Sequence, residues 1–457
     1  MKFLITGATG LVGSHLVQSL FEKGYDQVNV LSRNATKAQN SFSFPVKCFE
    51  WNPSTGQIDM NCFEGVDVII HLAGESVAQR WSQSRKDKIL NSRVQGTKLI
   101  ANSIKKLKIP PKKIISTSAI GIYGSRASEL LSSVSTPGEG FLADVCLNWE
   151  APIRELSLEN TQALILRVGI VLSLKGGALQ QMLPPFQAGV AGNLGDGKQY
   201  MSWIHIDDLI RQFIFLAENK VDQSIYNGVS PQPETNASFT KSLGRVLRRP
   251  TAIPIPSIGL KVLFGEMSEI LLNSQRVEPK NFTLEGFNFK FKNLEDALED
   301  LLQHKKNGEY ALTAYQWINK NRSEVFNFFS SEKNLERITP KYLKFQVLDK
   351  STPQLEAGTI INYQLSLHGV PMKWKTRINQ FEENSFFIDE QIKGPYTKWL
   401  HTHQFLDCGQ GTLIKDHIVY KIPLGFLGRI FLSFFINKDV NSIFKYRKKS
   451  IATIFNN

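Results

Sequence analysis

Cysteine is scarce in this sequence. Only four cysteines occur among the 457 residues, at positions 48, 62, 146 and 408. No two of them form a C-x-x-C pair, which argues against a cysteine zinc site and a disulfide framework. Because reduced thiols persist in a reducing compartment, we expect a cytoplasmic protein.

A long hydrophobic run is also missing. The longest apolar stretch near the end, residues 423–436, is interrupted by Arg429 and is shorter than the roughly 20 residues of a membrane-spanning helix. The apolar run at the start is short and leads into glycines, so we expect no signal peptide. We therefore predict no transmembrane segment. Peripheral membrane contact stays an alternative, because residues 426–435 are apolar and accompanied by Arg429 and Lys438.

Acidic residues are fewer than basic ones. The chain has 41 Asp and Glu against 54 Lys and Arg, a formal net charge of +13. Residues 303–457 contribute most of this excess, with 22 basic and 13 acidic residues. A basic surface attracts nucleic acids, anionic membranes or acidic ligands. No nucleic-acid-binding motif accompanies the charge, so we expect no nucleic-acid partner and favour a solvated basic surface.

Short apolar runs alternate with amphipathic segments over residues 1–172. The runs occupy residues 3–6, 28–31, 66–72, 113–117 and 163–168. Apolar strands separated by helices predict a parallel sheet that is covered on both faces. The predicted fold class is therefore α/β, a doubly wound Rossmann sheet, in a domain at residues 1–302 whose smaller cap is formed by residues 173–302.

A polar stretch at residues 303–308 predicts a linker to a second domain at 309–457. Beyond it, apolar and polar residues alternate as in antiparallel strands, and residues 424–455 predict one long helix. This predicts an α+β domain with an antiparallel sheet. The expected strands are residues 310–318, 342–348, 359–367, 372–381, 385–392 and 411–422, with a loop at 332–340.

Three glycines are spaced three residues apart after the first apolar run. Gly7 allows a tight turn, Gly10 leaves room for a pyrophosphate, and Gly13 lets the following helix pack closely on the strand. The amino terminus of that helix offers N–H groups to phosphate. This context predicts a dinucleotide site. The predicted contacts on this segment are Gly7, Thr9, Gly10, Leu11, Val12 and Gly13.

The end of the second apolar run indicates the type of cofactor. An NAD-binding protein places a carboxylate about twenty residues after the last glycine, where it binds the ribose hydroxyls. This sequence has Ser32 and Arg33 there instead. Because the planar arginine fork can pair with a 2′-phosphate, we predict NADP(H), with NAD(H) as the alternative.

Further motifs resemble those of the extended short-chain dehydrogenases, at residues 67–74, 116–124 and 201–208. Segments at 73–76, 80–82, 141–150, 176–178, 182–186 and 265–267 are similar to an atypical branch of epimerase-family proteins. The resemblance covers about residues 1–302. It implies that Leu72, Ala73 and Gly74 lie beside the adenine and ribose of the cofactor. Arg167 completes the predicted cofactor contacts.

The catalytic pair of that family is missing. Extended enzymes use a Tyr-x-x-x-Lys pair for proton transfer, but the corresponding positions are Leu142 and Cys146, and the usual asparagine is Arg93. Ser118, the hydroxyl that binds a substrate oxygen in the family, is retained. The candidate catalytic residues are Ser118 and Tyr123, the nearest phenol, which has packing beside the nicotinamide ribose as its alternative role. Other candidates in family motifs are Glu75, Arg80, Arg85 and His205.

Residues 309–457 resemble the helix-grip fold of the START/polyketide-cyclase (SRPBCC) superfamily. The resemblance rests on the order of elements and on residues 319–326, 394–405 and 444–447. It implies a sheet wrapped around the last helix and an apolar cavity that takes a hydrophobic ligand. His401 and His403 share one strand face, but the sequence indicates no third ligand, so we predict no metal site.

These observations leave two functions open. The first is an NADP(H)-dependent oxidoreductase or epimerase that acts on a small carbonyl or sugar-like substrate and has a ligand-binding second domain. The second is a non-catalytic redox sensor, in which the second domain binds a lipid-like molecule or a partner. The missing Tyr/Lys pair favours the sensor, whereas Ser118 and the glycine turn are compatible with both.

Overall fold

The structure is a computed structural model that describes residues 1–423 and 425–456, without the side chains of 305–306, 425–434 and 456. Contacts divide the chain into two compact units. The first comprises Met1–Leu20, Gln27–Phe42 and Val46–Leu302, and the second comprises Phe21–Asp26, Ser43–Pro45 and Gln303–Asn457. The predicted linker at 303–308 stays a prediction, although a helix continues through its first four residues.

The first unit is built from fourteen strands and eleven α-helices among the described residues. The strands are β1 (Phe3–Thr6), β2 (Val28–Ser32), β3 (Lys47–Asn52), β4 (Gln57–Ile58), β5 (Val68–His71), β6 (Lys113–Ala119), β7 (Leu130–Leu131), β8 (Gln162–Val168), β9 (Ile170–Leu172), β10 (Tyr200–Met201), β11 (Trp203–His205), β12 (Ile225–Gly228), β13 (Glu234–Thr235) and β14 (Arg276–Val277). The helices are α1 (Leu11–Glu22), α2 (Ala35–Ser41), α3 (Gln83–Ile104), α4 (Phe141–Arg154), α5 (Gly177–Ala188), α6 (Ile206–Glu218), α7 (Asn236–Leu247), α8 (Ser257–Phe264), α9 (Glu269–Leu272), α10 (Lys280–Leu284) and α11 (Leu294–Lys306).

An eight-stranded sheet forms the centre of this unit. Its order is β12-β8-β6-β5-β1-β2-β3-β4, and every neighbouring pair is parallel except β3 and β4. This confirms the predicted doubly wound parallel sheet. The chain order reverses between β1 and β5, and open parallel sheets bind ligands at such a reversal, beyond the carboxyl ends of the strands.

Residues 173–302, together with β7 and β9, form a group of short strands and helices. β9 pairs with β11, β10 with β13, and β7 with β14, while β12 joins the central sheet. A buried apolar cluster that includes Trp203 and Phe239 holds this group together. This group joins the central sheet through β9, which follows β8 directly in the chain.

The second unit is α+β, as predicted. Its elements are β15 (Glu309–Ile318), α12 (Arg322–Phe329), α13 (Glu332–Arg337), β16 (Gln346–Lys350), β17 (Ile360–Leu367), β18 (Val370–Glu382), β19 (Phe386–Lys393), β20 (Lys398–Cys408), β21 (Gly411–Lys421) and α14 (Gly425–Asn456). The seven strands form one antiparallel sheet in the order β15-β21-β20-β19-β18-β17-β16. Its buried face packs against α12 and the end of α14 around Phe326 and Ile451.

Two local predictions for this unit are wrong. The expected loop at 332–340 contains α13, because Leu335 packs against the apolar core and tertiary burial favours a helical turn there. The expected strand at 342–348 begins only at Gln346, because Lys344 adopts a left-handed φ of 43° and ends a short 3-10 helix at Lys341–Leu343.

Within the described residues, no helix combines the length and hydrophobicity that crossing a bilayer requires. The apolar stretch considered for peripheral membrane contact, residues 426–435, belongs to α14. Its side chains from 426 to 434 lie outside the described residues.

Candidate functional site

The glycine turn between β1 and α1 brings two strand ends close together. Gly7 has a φ of +67°, and a Cβ on it would lie 2.9 Å from the backbone of Leu72 and Ala73. A side chain at position 7 is therefore excluded both by conformation and by space. The absence of a side chain keeps the ends of β1 and β5 in contact.

Gly13 brings the first turn of α1 onto the same loop. A Cβ on Gly13 would overlap the carbonyl oxygen of Gly7 and the Cα of Ala8. Gly10 donates a 3.0 Å hydrogen bond from its backbone N–H to that carbonyl. The first N–H groups of a helix have no partner within the helix. Thr9 and the helix residues Leu11 and Val12 therefore border a backbone surface suited to phosphate.

A buried polar chain that the sequence did not indicate orients the opposite wall. The Thr6 hydroxyl accepts hydrogen bonds of 3.1 Å from the N–H groups of Leu72 and Ala73 and lies 2.7 Å from Nδ1 of His71. Nε2 of His71 lies 3.1 Å from the Thr97 hydroxyl, which donates to a backbone carbonyl. Burial lowers the pKa of His71 to about 4, so the ring is neutral.

Arg33 lies at the same edge of the sheet, just beyond β2, and is exposed. Among the described residues, its guanidinium forms no ion pair. The Ser32 hydroxyl donates a 3.1 Å hydrogen bond to the carbonyl of Asn34, whose side chain caps α2. The turn after β2 is thus fixed by its own hydrogen bonds, and Arg33 remains available to an anionic group.

Ser118 lies near the end of β6 and is buried. It faces the Cys146 thiol and the Glu150 carboxylate on α4, and in the described part of the chain its hydroxyl makes no hydrogen bond of ordinary geometry. Leu142 and Cys146 approach the turn after β6 at Gly121. Burial raises the pKa of Cys146 to about 11, so this thiol is protonated at neutral pH and does not act as a base.

Tyr123 and Arg167, both predicted site residues, lie together in a buried network. The Tyr123 hydroxyl donates a 2.7 Å hydrogen bond to Oδ1 of Asn227 and accepts one of 2.9 Å from Arg167. Arg167 also donates two hydrogen bonds to the Glu150 carboxylate, at 2.9 and 3.0 Å, and one to the Ser133 carbonyl. Burial raises the pKa of Tyr123, although Arg167 acts in the opposite direction. The catalytic and cofactor-binding roles of these two residues stay predictions.

Arg93 takes the position of the usual asparagine. Its guanidinium lies 3.2 Å from where a Cβ on Gly74 would be and donates a 2.9 Å hydrogen bond to the carbonyl of Glu75. It also stacks on Trp149, 4.8 Å from the ring centre. Burial lowers the pKa of Arg93. Arg93 is therefore a cation held beside the predicted cofactor segment.

The other polar candidates are engaged locally. Arg85 forms a 3.0 Å ion pair with Glu75. Arg80 packs on Gly265. His205 is buried and caps α6 by accepting a hydrogen bond from the backbone of Asp207.

The second unit contains a partly open cavity of about 180 Å³ between its sheet and α14. Its wall is mostly apolar, as the resemblance implied, and includes Leu365, Ile378 and Phe444. The polar residues of the wall include Asp389, His401, His403 and Arg447.

The structure supplies the neighbours that the sequence did not indicate for the two histidines. Asp389 and Asp416 come from the strands on either side of β20 and lie within 3.6 Å of both rings. Burial, followed by the neighbouring His403, lowers the pKa of His401 to about 4. Burial alone would raise the pKa of Asp416, but Arg447 and His403 hold it well below its usual value.

Three family models match separate parts of the chain. Residues 3–227 match the NAD dependent epimerase/dehydratase family, and residues 255–301 match a domain of unknown function, DUF1731. Residues 318–443 match the family described as polyketide cyclase / dehydrase and lipid transport.

Similar proteins match about two thirds of the chain. The chloroplastic epimerase family protein SDR39U1 homolog of Arabidopsis thaliana is 35% identical over 314 residues, which span 66% of this chain and 87% of that protein. An epimerase family protein of Staphylococcus aureus (strain MRSA252) is 34% identical over 302 residues, 66% of this chain and 99% of its own length. The crystal structure of the human epimerase family protein SDR39U1 (isoform 2) with NADPH superimposes with a TM-score of 0.59 at 30% identity, over 66% of this chain and 99% of that one.

Proposed function

This chain belongs to the epimerase family, and from that membership we propose that it binds NADP(H) at the carboxyl edge of its parallel sheet. The observation that carries the proposal is the backbone geometry at Gly7 and Gly13. Both positions exclude a side chain, and together they present the first turn of α1 to a phosphate group. The human SDR39U1 structure, which contains NADPH, supports the same choice of cofactor.

Arg33 supports the phosphorylated cofactor over NAD(H). It follows β2, the neighbour of β1, and therefore lies at the edge where the adenosine ribose is bound in proteins of this fold. A free guanidinium there favours a 2′-phosphate through paired, charge-assisted hydrogen bonds. NAD(H) stays the alternative cofactor.

For the chemistry, we propose hydride transfer between NADP(H) and a small carbonyl or sugar-like substrate, with the balancing proton exchanged between the substrate oxygen and water. Ser118 would bind the substrate oxygen, because its buried hydroxyl has no aligned partner among the described residues. Tyr123 would serve a different purpose. Its proton is already donated to Asn227, so we assign it to positioning Arg167 rather than to proton transfer.

A non-catalytic redox sensor is the second candidate. Its support is the pair Leu142 and Cys146, which occupy the positions of the usual tyrosine and lysine and offer no acid or base at neutral pH. In this alternative, the occupancy of the site by NADP(H) would report the redox state of the cell without turnover.

For the second unit, we propose that the cavity holds an apolar small molecule. A concave, mostly apolar wall with a few polar groups is typical of such sites. The matching family, described as polyketide cyclase / dehydrase and lipid transport, supports this class of ligand. Peripheral contact with an anionic membrane stays the alternative use of the basic second unit.

One experiment separates the enzyme from the sensor. The full chain is incubated with NADPH that carries deuterium on the transferred position of the nicotinamide, together with a pool of small metabolites. A reductase produces NADP⁺ and one deuterated product in equal amounts, and Ser118→Ala lowers the rate of this conversion at unchanged NADPH affinity. Tight NADPH binding without any transfer of deuterium would favour the sensor.

A further inference from the structure

Two histidines and two aspartates meet on one face of the sheet in the second unit. The strand register places Asp389 opposite His401 and His403 opposite Asp416. Because side chains two residues apart on a strand share a face, both histidines point toward α14 with their opposite partners. We call Asp389, His401, His403 and Asp416 the His–Asp cluster.

The two carboxylates face different nitrogens of the same two rings. Oδ2 of Asp389 lies 3.6 Å from Nδ1 of His401 and accepts a 3.2 Å hydrogen bond from Nε2 of His403. Oδ1 of Asp416 lies 3.3 Å from Nε2 of His401 and 2.6 Å from Nδ1 of His403. Each imidazole is therefore placed between two carboxylates.

The atoms on the Asp389 side are spaced as the ligands of one small cation. A tetrahedral ion with bonds of about 2.1 Å separates its ligand atoms by about 3.4 Å, and the two measured separations are 3.2 and 3.6 Å. Two imidazole nitrogens and one carboxylate oxygen suit divalent first-row transition metals. We propose that Asp389, His401 and His403 bind one divalent transition-metal ion.

Asp416 would position this ion's ligands without touching the ion. Ligand histidines commonly donate their second ring N–H to a carboxylate, which fixes the tautomer and the ring orientation. The Asp416 carboxylate faces the second ring nitrogen of both histidines, and this residue is more than nine-tenths buried. Oδ1 of Asp416 lies close to Nε2 of His401 and to Nδ1 of His403. Among the described residues, these three atoms make no aligned hydrogen bond. A buried polar group without a hydrogen bond lowers the stability of the fold. An ion that fixed the orientation of both rings would offset this loss, because the rings could then donate to Asp416.

The proposed ion would keep one coordination position open toward the cavity. Its three ligands line the cavity, whereas Asp416 does not. Three protein ligands with a free position are typical of a reactive site rather than of a structural one.

Charge indicates what would take that position, a step that rests on the proposed apolar cavity. The charges at the proposed site add up to +1, from the two carboxylates, the Arg447 guanidinium and a divalent ion. Glu332, which also lies in the wall, is neutralised by Lys350 at 2.8 Å. The expected ligand is therefore an apolar molecule that ends in a carboxylate or another anionic oxygen.

The metal is tested first and without any organic ligand. The full chain is stripped with a chelator and titrated with Zn²⁺ by calorimetry and with Co²⁺ by visible absorption. We expect one metal ion to bind per chain and the Co²⁺ complex to show the absorption of four-coordinate Co²⁺. His401→Gln and His403→Gln should each lower the affinity at least about 100-fold, and Asp416→Asn about 10–100-fold at unchanged stoichiometry.

Two controls locate the ion. His368→Gln breaks another His–Asp contact of the second unit, 2.8 Å to Asp439, and should leave the affinity unchanged. His205, Asp207 and Asp300 also lie within ligand distance of one another in the first unit. If the double variant of His401 and His403 keeps the equivalent of metal, the ion lies elsewhere and the proposal is wrong. X-ray absorption of the parent Co²⁺ complex must show two imidazoles, whether or not the variants fold.

The ligand class is tested separately on the Co²⁺-loaded chain. A ten-carbon carboxylate should change the Co²⁺ spectrum and bind at least tenfold more tightly than to the metal-free chain, whereas the matched alcohol should do neither. A chain that binds Co²⁺ but shows no such difference would overturn the anionic ligand and leave the metal site intact. A chain that binds no Co²⁺ overturns the metal site, whatever it does with the carboxylate.

Discussion

The Tyr123 hydroxyl donates a 2.7 Å hydrogen bond to Oδ1 of Asn227, in the interior of the first unit. The same oxygen accepts a hydrogen bond from Arg167, whose other donors hold Glu150. A phenol bound in this way connects the turn after β6 with β8 and β12, and transferring its proton to a substrate would break the network.

Tyr123→Phe should therefore reduce stability rather than chemistry. The variant leaves Asn227 and Arg167 each without one partner, which we expect to lower the free energy of unfolding by about 1–3 kcal/mol. Denaturant titration measures this, and Tyr342→Phe, which removes the same atom from an exposed ring, should change it little. NADPH affinity should stay within twofold. A folded variant that binds NADPH but has lost deuterium transfer would return Tyr123 to a catalytic role.

Arg33→Asp should narrow or reverse the preference for NADPH over NADH. The substitution removes a charge-assisted contact with the 2′-phosphate and adds repulsion, together on the order of 2–3 kcal/mol. Calorimetry with both nucleotides measures the preference. Lys108→Asp makes the same charge change in the turn before β6, at the amino ends of the parallel strands. This control variant should not change the preference between the nucleotides. Equal affinity of the parent chain for both nucleotides would contradict the prediction.

Cys146→Ala should leave nucleotide affinity and any turnover nearly unchanged. Burial raises the pKa of this thiol to about 11, so at neutral pH it is neither a nucleophile nor a base. The folded chain should also react slowly with iodoacetamide at this position, as followed by peptide mass spectrometry. Large loss of activity in a folded Cys146→Ala variant would reveal a chemical role for the sulfur.

The glycine turn was predictable from the sequence, whereas the His–Asp cluster was not. Gly7, Gly10 and Gly13 are close in sequence, so the geometry they require is visible in a short segment. Asp389 and Asp416 reach the histidines only through strand register, which no local pattern encodes. The bond between Thr6 and His71 also joins two strands distant in sequence. The short helix α13 was missed because tertiary burial of Leu335, rather than local propensity, stabilises it.

His71 should make the stability of the chain depend on pH. Its pKa is about 4 when folded and 6.5 in the unfolded chain, because burial disfavours the charged ring. Between pH 4 and 6.5 the ring of His71 binds a proton in the unfolded chain but not in the folded one. The contribution of His71 to the free energy of unfolding is therefore fully present above pH 6.5 and is lost as the pH decreases toward 4. The largest loss is about 3 kcal/mol. The difference between the parent and His71→Asn, measured by denaturant titration across this range, isolates the contribution. Parallel pH profiles for the two proteins would contradict it.

A bulkier side chain in the cavity should displace its apolar ligand. Leu365 on β17 lies in the wall, and an indole in its place would fill space that the ligand needs. We expect the full chain to take up a fluorescent fatty acid saturably and Leu365→Trp to bind it at least tenfold more weakly. Val370→Trp adds the same ring at an exposed position of the neighbouring strand and should bind like the parent. A different result would support the membrane-contact alternative: the parent chain takes up no fatty acid but binds anionic vesicles, and this binding disappears at high salt. Such binding depends on the basic surface and not on the cavity.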